Sequence, residues 1–237
     1  SAAIVIYQHR IVIARAGKLE KRHEQFQATS LEALDAAGSI LIGAWEVYLG
    51  QETGSAVWQL RQFESLSAWA ALQDRVRANQ ALSEARHSAL FPHLDEVNTS
   101  ILRLANISPA LPVEWPAIEQ VRGQPRGYIQ QRIMRFNVGA TAEHHAFYKH
   151  AVLPAMEREG ARLIGLFDTE IGQGTTNGKS MRSVELRHFD SLEHWQMWRE
   201  AQDNDASLNK LIKTEWMHHV QQMDSALLRP MDYSRIR

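Results

Sequence analysis

The run "IVIYQHRIVIA", residues 4–14, is β-branched and alternates, which predicts a strand, and Gly17 ends it. Leu19, His23, Phe26, Ser30 and Leu34 then fall on one helical stripe, predicting a helix over 18–37 with Gly38 at the C′ position, where a left-handed cap costs little. Residues 40–48 and 56–63 predict two more strands joined by a hairpin. "SLSAWAAL" opens a second helix, with Ser65 or Ser67 as N-cap. That helix is expected to break near Asn79 and run to about residue 95, before a fourth strand at 97–104.

The same pattern returns in the second half. Gln8, Arg10, Gly17, His23, Gly38 and Gly50 align without a gap on Gln130, Arg132, Gly139, His145, Gly160 and Gly172. "LIGAWEVYLG" at 41–50 reappears as "LIGLFDTEIG" at 163–172. After a four-residue insertion between 172 and 183, Leu60-Arg61-Gln62-Phe63 meets Leu186-Arg187-His188-Phe189, Trp69 meets Trp195, and His93 meets His219. Insertions of that kind belong in surface turns. Between the copies, residues 106–126 hold Pro109, Pro112, Pro116 and Pro125, so this stretch reads as a linker. The expected organisation is one repeat over 1–105, a Pro-rich linker over 106–126 and a second repeat over 127–237.

The order β-α-β-β-α-β is the ferredoxin-like unit, with two helices on one face of an antiparallel sheet. The other face is left bare, yet apolar side chains occupy both phases of these strands. Exposing them forfeits about 1.5–3 kcal/mol each. Two copies in one chain relieve this by placing sheet against sheet. The expected fold is α+β: two tandem ferredoxin-like repeats forming an intrachain dimeric α/β-barrel.

"FNVGATAEHHAFYKHAVLPAMEREGARLIGLFDTEIG", followed by "VELRHFDSLEHWQMW" and "LLRPM", resembles a NIPSNAP domain of the dimeric α/β-barrel superfamily. The first copy resembles it more weakly, through "RAGKLEKRHEQF", "GSILIGAWEVYLG" and "VWQLRQFESLSAW". Arg10 and Arg132, Gly17 and Gly139, and Arg61 and Arg187 match the pattern. The resemblance implies the barrel and a superfamily that contains cofactor-free monooxygenases, isomerases, cyclases and haem enzymes. Haem enzymes of that superfamily use a helical His as axial ligand, which here would be His219.

Composition narrows the chemistry. Hydrophobic residues make up 44% and charged residues 22%, and the net charge is −1, so nothing supports nucleic acid as a partner. With no cysteine there is no disulfide, thiolate nucleophile or Cys-held metal. No apolar run approaches the roughly 20 residues of a membrane helix. The opening stretch reads as a strand rather than a signal peptide, so the cytoplasm is the expected compartment. Homodimerisation through further surface is also expected.

His23 and His145 recur on the inward helical stripe, and Glu46 and Asp168 are acids inside otherwise apolar strands. His titrates near neutral pH and a carboxylate can orient it, so His145 is the candidate proton-transfer residue. Asp168 would orient it, and Tyr148 would donate a hydrogen bond to substrate. The plainer expectation is a hydrogen-bonded core His, with the two acids paired to Arg10 and Arg132 on neighbouring strands. His23, Glu46, Trp45 and Trp58 are the substrate-binding candidates of the first repeat. The two tryptophans align with Phe167 and Val184, an asymmetry that would let one half enclose a cavity. The eleven histidines make no i,i+4 pair of the helical zinc type, and no metal or other cofactor is expected. "GQGTTNGKS", residues 172–180, approaches a phosphate-binding loop but has Gln173 where the motif needs Gly, and Asn177-Gly178 predicts a hairpin turn instead. The expected function is binding of a small apolar or aromatic molecule, with cofactor-independent acid–base chemistry. The rivals are a non-enzymatic protein-interaction adaptor and a haem-binding barrel.

Overall fold

One element order, written twice, accounts for the chain. The computed structural model describes residues 4–85, 87, 90–172, 175–176 and 179–237. The first copy contains β1 (Ile6–Ala14), α1 (Leu19–Phe26), α2 (Glu32–Ala36), β2 (Ile40–Leu49), β3 (Ala56–Phe63), α3 (Leu66–Ala78), α4 (Gln80–Ala85) and β4 (Leu94–Leu104). A short helix, α5 (Ile118–Val121), lies in the connecting stretch. The second copy contains β5 (Tyr128–Phe136), α6 (Thr141–Phe147), α7 (Leu153–Arg158), β6 (Arg162–Ile171), the short β7 (Thr175–Thr176) and β8 (Lys179–Ser180), β9 (Arg182–Phe189), α8 (Leu192–Asn204), α9 (Ala206–Thr214) and β10 (Val220–Pro230). The fold class is α+β. The eight long strands run β1-β3-β2-β10-β5-β9-β6-β4 in a closed barrel, so each repeat contributes its strands in the ferredoxin-like order 4-1-3-2. The predicted Asn177-Gly178 turn lies outside the described residues.

Local chemistry explains most boundaries. Ser65 caps α3 by accepting from the Ala68 N–H at 3.1 Å, and Ser191 does the same for α8 through the His194 N–H. Asn79 breaks the helix between α3 and α4 in an extended conformation. Gly38 and Gly160 close the first helical run of each copy at φ +86° and +73°, the left-handed region that other residues rarely adopt. The first helical run is not the single uniform helix over 18–37 that the stripe predicts. One wide π turn, Gln27–Leu31 in the first copy and Tyr148–Val152 in the second, sits between its two α segments.

The chain divides into two compact units that differ from the expected boundaries at their tails. Unit one comprises residues 1–101, 114–124 and 230–236, and unit two 102–113, 125–229 and 237. The linker is therefore divided between the units, and the chain's last segment belongs to the first. In unit one the Ala44 N–H donates to Ser234 Oγ at 3.0 Å, Met231 N–H to the Ala44 carbonyl at 2.9 Å, and Ile236 N–H to the Ile42 carbonyl at 2.7 Å. Unit two repeats the arrangement with the earlier tail: the Leu166 N–H donates to Ser108 Oγ at 3.0 Å and the Ala105 N–H to the Leu166 carbonyl at 2.8 Å. Arg235 fastens the last segment further, with both guanidinium ends on Asp35 at 2.8 and 2.9 Å.

The repeated "LIG-x-aromatic" motif has a packing cause. A Cβ on Gly43 would lie 2.0 Å from the Trp45 ring, and one on Gly165 would lie 2.7 Å from the Phe167 ring. In each copy the aromatic two residues on folds back over the bare glycine, where the β2–β3 and β6–β9 registers shift at Leu41/Gly43 and Leu163/Gly165. Gly43→Ala is therefore expected to lower the unfolding free energy by about 1–3 kcal/mol in urea titrations, as for other overpacked cores. An unchanged midpoint would show that the ring is not held where it lies.

Candidate functional site

Strand alternation aims one set of side chains of each sheet at the covering helices. In unit one this set includes Gln8, Arg10 and Val12 of β1 and Gln59 and Arg61 of β3, with Arg10 directly opposite Gln59. Together with Arg22, Phe26 and Ser30 from the first helical run, and Leu72 and Val76 from α3, they line a cavity of about 180 Å³. Three arginines share it, and no Asp or Glu is among its lining residues. Arg61 is 1% exposed. One end of its guanidinium donates to Ser39 through the carbonyl and Oγ, both at 3.1 Å. Among the described residues its Nε and Nη2 meet no acceptor, nor do the Gln59 amide atoms or Arg22 Nε. Burial, and then the nearby Arg10, pulls Arg61 down to about 9, with Asp35 pulling the other way. Asp35 is itself engaged by Arg235. The Arg22 guanidinium lies over the Phe26 ring at 4.6 Å, a cation–π contact.

Unit two presents the same face with different contents. Arg132 lies directly opposite Glu185, and the fully buried Glu185 forms an ion pair with Arg187. Arg132 Nη1 is 3.8 Å from the same carboxylate. Burial works against the Arg187 charge, but Glu185 outweighs it and the group is held above its usual value. The Trp198 ring packs under Arg187 at 4.7 Å, and the cavity on this side is about 60 Å³. Aligned by the repeat, the differences are Gln59 against Glu185, Arg22 against His144, Phe26 against Tyr148, Leu72 against Trp198 and Ser30 against Val152. The second copy carries its own counterion and its own filling. The first has Gln59 and Leu72 at those two positions.

The residues singled out in the sequence are placed as follows. His145 Nε2 is 3.0 Å from Asp168 Oδ1, which also accepts from Ser183 Oγ at 2.5 Å. His23 Nε2 is 2.8 Å from Glu46 Oε1. The two strand acids thus meet the repeated histidines, and the acid facing Arg132 across the strands is Glu185. Tyr148 is buried beside Glu185 and Arg187, and burial, then Glu185, raises its phenol well above the usual range. Its hydroxyl donates to Met156 Sδ at 3.5 Å, and the residue opens the wide turn Tyr148–Val152. Trp58 neighbours Gln59 on β3 and therefore points to the opposite sheet face, where it meets His9 edge-on at 6.2 Å. Trp45 pairs with Trp58 in register and donates its indole N–H to the Ile236 carbonyl at 3.2 Å. Neither tryptophan lines the cavity. His219 lies in a turn between a 3-10 turn (Trp216–His218) and β10, not on a helix as the haem expectation required. Among the described residues no group of three or more His, Asp or Glu is placed to hold a metal, and no helix is long and apolar enough to cross a membrane.

Arg22, Gln59, Arg61, Glu185 and His144 were not identified as site residues from the sequence. The signal was present: a position-by-position comparison of the copies shows a charge change at 59/185 and at 22/144 on otherwise aligned elements. The neighbour of His145 is the deeper one, because His144 is fully buried and stacked 4.4 Å from the Phe136 ring. Burial, and then His145 and Arg132, pull it down to about 3.

With this geometry in place, comparison with known proteins becomes informative. Residues 129–235 match the NIPSNAP family model. The matched range is the second repeat, the copy whose sequence resembles NIPSNAP domains more closely; the NIPSNAP match does not extend to the first. No curated protein matches the chain. Among solved structures, an anthrone oxidase-like protein aligns over 96% of this chain and 91% of its own at 12% identity and a TM-score of 0.61. A provisionally named monooxygenase from Lactobacillus acidophilus NCFM aligns over 95% and 94%, at 10% identity and a TM-score of 0.58. Chlorite dismutase from Candidatus Nitrospira defluvii aligns over 98% and 92%, at 12% identity and a TM-score of 0.53. These likenesses establish the fold over nearly the whole chain.

Two outcomes follow from the charges. Glu185→Gln leaves the fully buried Arg187 without its carboxylate, and its expected cost is about 3–5 kcal/mol in chemical denaturation; a cost below about 1 kcal/mol would mean the pair does not hold the unit together. His144 takes up its proton near pH 3 in the folded chain but near pH 6.5 when unfolded. Between those values the unfolded state binds more protons, so stability falls as pH drops through that window. His144→Phe removes this contribution, and urea midpoints measured from pH 7 to pH 4 should decline less steeply for the variant than for the wild type. Parallel declines would show that His144 is not buried uncharged.

Proposed function

We propose that the first unit binds a compact small molecule with an apolar body, between β1 and β3 and the helices that cover them. The observation that carries this is the cavity of about 180 Å³ into which Arg61, Arg22 and Gln59 converge while Leu72, Val76 and Phe26 supply an apolar wall. A few polar groups aimed into an otherwise apolar hollow are the usual build of a ligand site. The volume lies below the roughly 300–1,000 Å³ of sites for drug-sized ligands, so the ligand is small. An adaptor acting only through its surface has no use for such an interior. In the second unit Trp198 and Val152 stand where Leu72 and Ser30 leave the hollow, which supports a binding role for the first unit in particular.

Cofactor-independent proton transfer is a second reading, favoured by the two His–carboxylate pairs. His145–Asp168 is the candidate of the second unit. His23–Glu46 is better connected to the cavity: the lining residue Arg22 places Nη1 3.5 Å from His23 Nδ1, and His23 Nε2 reaches Glu46. If Arg22 donates to Nδ1, the proton of the ring sits on Nε2 and faces the carboxylate.

A fragment screen by thermal shift tests the binding reading, since a ligand bound only by the folded state raises the melting temperature. Leu72→Trp fills the hollow with the residue the second copy already accommodates. Compounds that stabilise the wild type should no longer stabilise Leu72→Trp; equal shifts in both proteins, or no stabilising compound at all, would dismiss the cavity as a binding site.

A further inference from the structure

We propose that the group this cavity recognises is a carboxylate, carried as the head of a small, partly apolar acid and seated against Arg61 and Arg22 opposite Gln59. The inference rests on the ligand-binding reading above and specifies its chemistry. It comes from comparing one protein with itself. At the aligned position of the second unit, the group lying between the strand arginines is the carboxylate of Glu185, paired with Arg187 and 3.8 Å from Arg132. In the first unit the strand arginines are kept as Arg10 and Arg61 in the same register, but Gln59 replaces the acid. A third cation, Arg22, is added where the second unit has His144.

Arg61 and Arg22 are buried, yet Arg61 Nε and Nη2 and Arg22 Nε find no acceptor among the described residues. Guanidinium groups do not give up their protons to accommodate burial, so such atoms call for an anion. A planar carboxylate matches the fork of Nε and Nη2, two parallel N–H donors. Gln59 fits the same occupant: its side-chain amide N–H can donate to a carboxylate oxygen, whereas a Glu there would repel it. Asp35, the acid whose field reaches Arg61, is committed to Arg235. Phe26, Leu72 and Val76 leave apolar surface for the body of the acid.

Calorimetric titration of the full chain at pH 7 with acetate, butyrate and benzoate, each beside its neutral amide, tests this, with inorganic phosphate as a further anion. At least one acid should bind about tenfold or more tightly than its amide, because charge-assisted hydrogen bonds are roughly twice as strong as neutral ones. Gln59→Glu, which installs the second unit's carboxylate, should abolish acid binding and raise the ligand-free melting temperature. Arg61→Gln should weaken the acids by a clearly larger factor than their amides, because only the acids lose a charge-assisted pair, and it keeps the test decisive if the first variant does not fold. Amides binding as well as acids, phosphate binding as tightly as any acid, or acid affinity surviving Gln59→Glu would each overturn the carboxylate assignment while the cavity remained a ligand site. Failure of acids and amides alike to bind would remove both.

Discussion

A guanidinium keeps its proton at neutral pH even where burial pulls it down, as at Arg61, so burying one obliges the surrounding structure to bring it an anion or several strong acceptors. Both copies in this chain place two arginines on the helix-facing side of neighbouring strands, Arg10 and Arg61 in one and Arg132 and Arg187 in the other, and in each the second, Arg61 or Arg187, is fully buried while the first is half-buried. What surrounds those charges differs, and the rest of each unit follows from it. In the second unit Glu185 neutralises the pair from inside, Trp198 lies under Arg187, and Tyr148 closes the remaining space. In the first unit Arg61 is satisfied on one end by Ser39 and otherwise faces a hollow. Removal of one partner from a buried pair typically destabilises by about 3–5 kcal/mol. The first unit therefore keeps its arginines at a standing cost that the second avoids, and retention under that cost is what points to an occupant.

The scaffold around these charges is held by constraints that both copies obey. Gly43 and Gly165 cannot carry a side chain because an aromatic ring two residues later lies over each. Ser65 and Ser191 fix the start of the long helix, and Gly38 and Gly160 fix the end of the first. Ser234 and Ser108 tie a tail to the second strand of each unit through the same hydrogen bond. Such positions set backbone geometry and leave little room to vary. Positions that only fill the interior, such as Leu72 against Trp198, can diverge without disturbing the strands that present the arginines. One copy can thus remain a filled, self-neutralised domain while the other opens.

The repeat made the fold legible. A gap-free alignment from residue 8 to residue 50, periodicity that switches from two to about four, and turn glycines at matching places fix the element order before any coordinate is known. The His–acid pairs were legible in part, because residues that recur on a helical stripe and in the next strand must come near one another, although Arg132, an expected partner of Asp168, lies opposite Glu185. Three things were not legible. The side of a strand that faces the helices depends on phase, and Trp45 and Trp58 have the phase opposite to Gln59 and Arg61. The wide turn at Tyr148 leaves no mark in composition, yet it directs the phenol to Glu185. The exchange of tails is a long-range choice, made by Ser108, Ser234 and Arg235 finding strand and helix partners far away in sequence.

The substitution of Arg22 for His144 also changes how far a charge in the interior can be felt. In the second unit the position is occupied by an imidazole that burial keeps uncharged at neutral pH, stacked on Phe136, so the Glu185–Arg187 pair has no charged bridge at this point to the neighbouring His145–Asp168 pair. In the first unit the same position is a permanent cation that lines the cavity and touches His23, which in turn meets Glu46. An anion seated against Arg22 would therefore lie one guanidinium away from the His23–Glu46 pair, whereas the second unit, which supplies its own carboxylate, has no such connection.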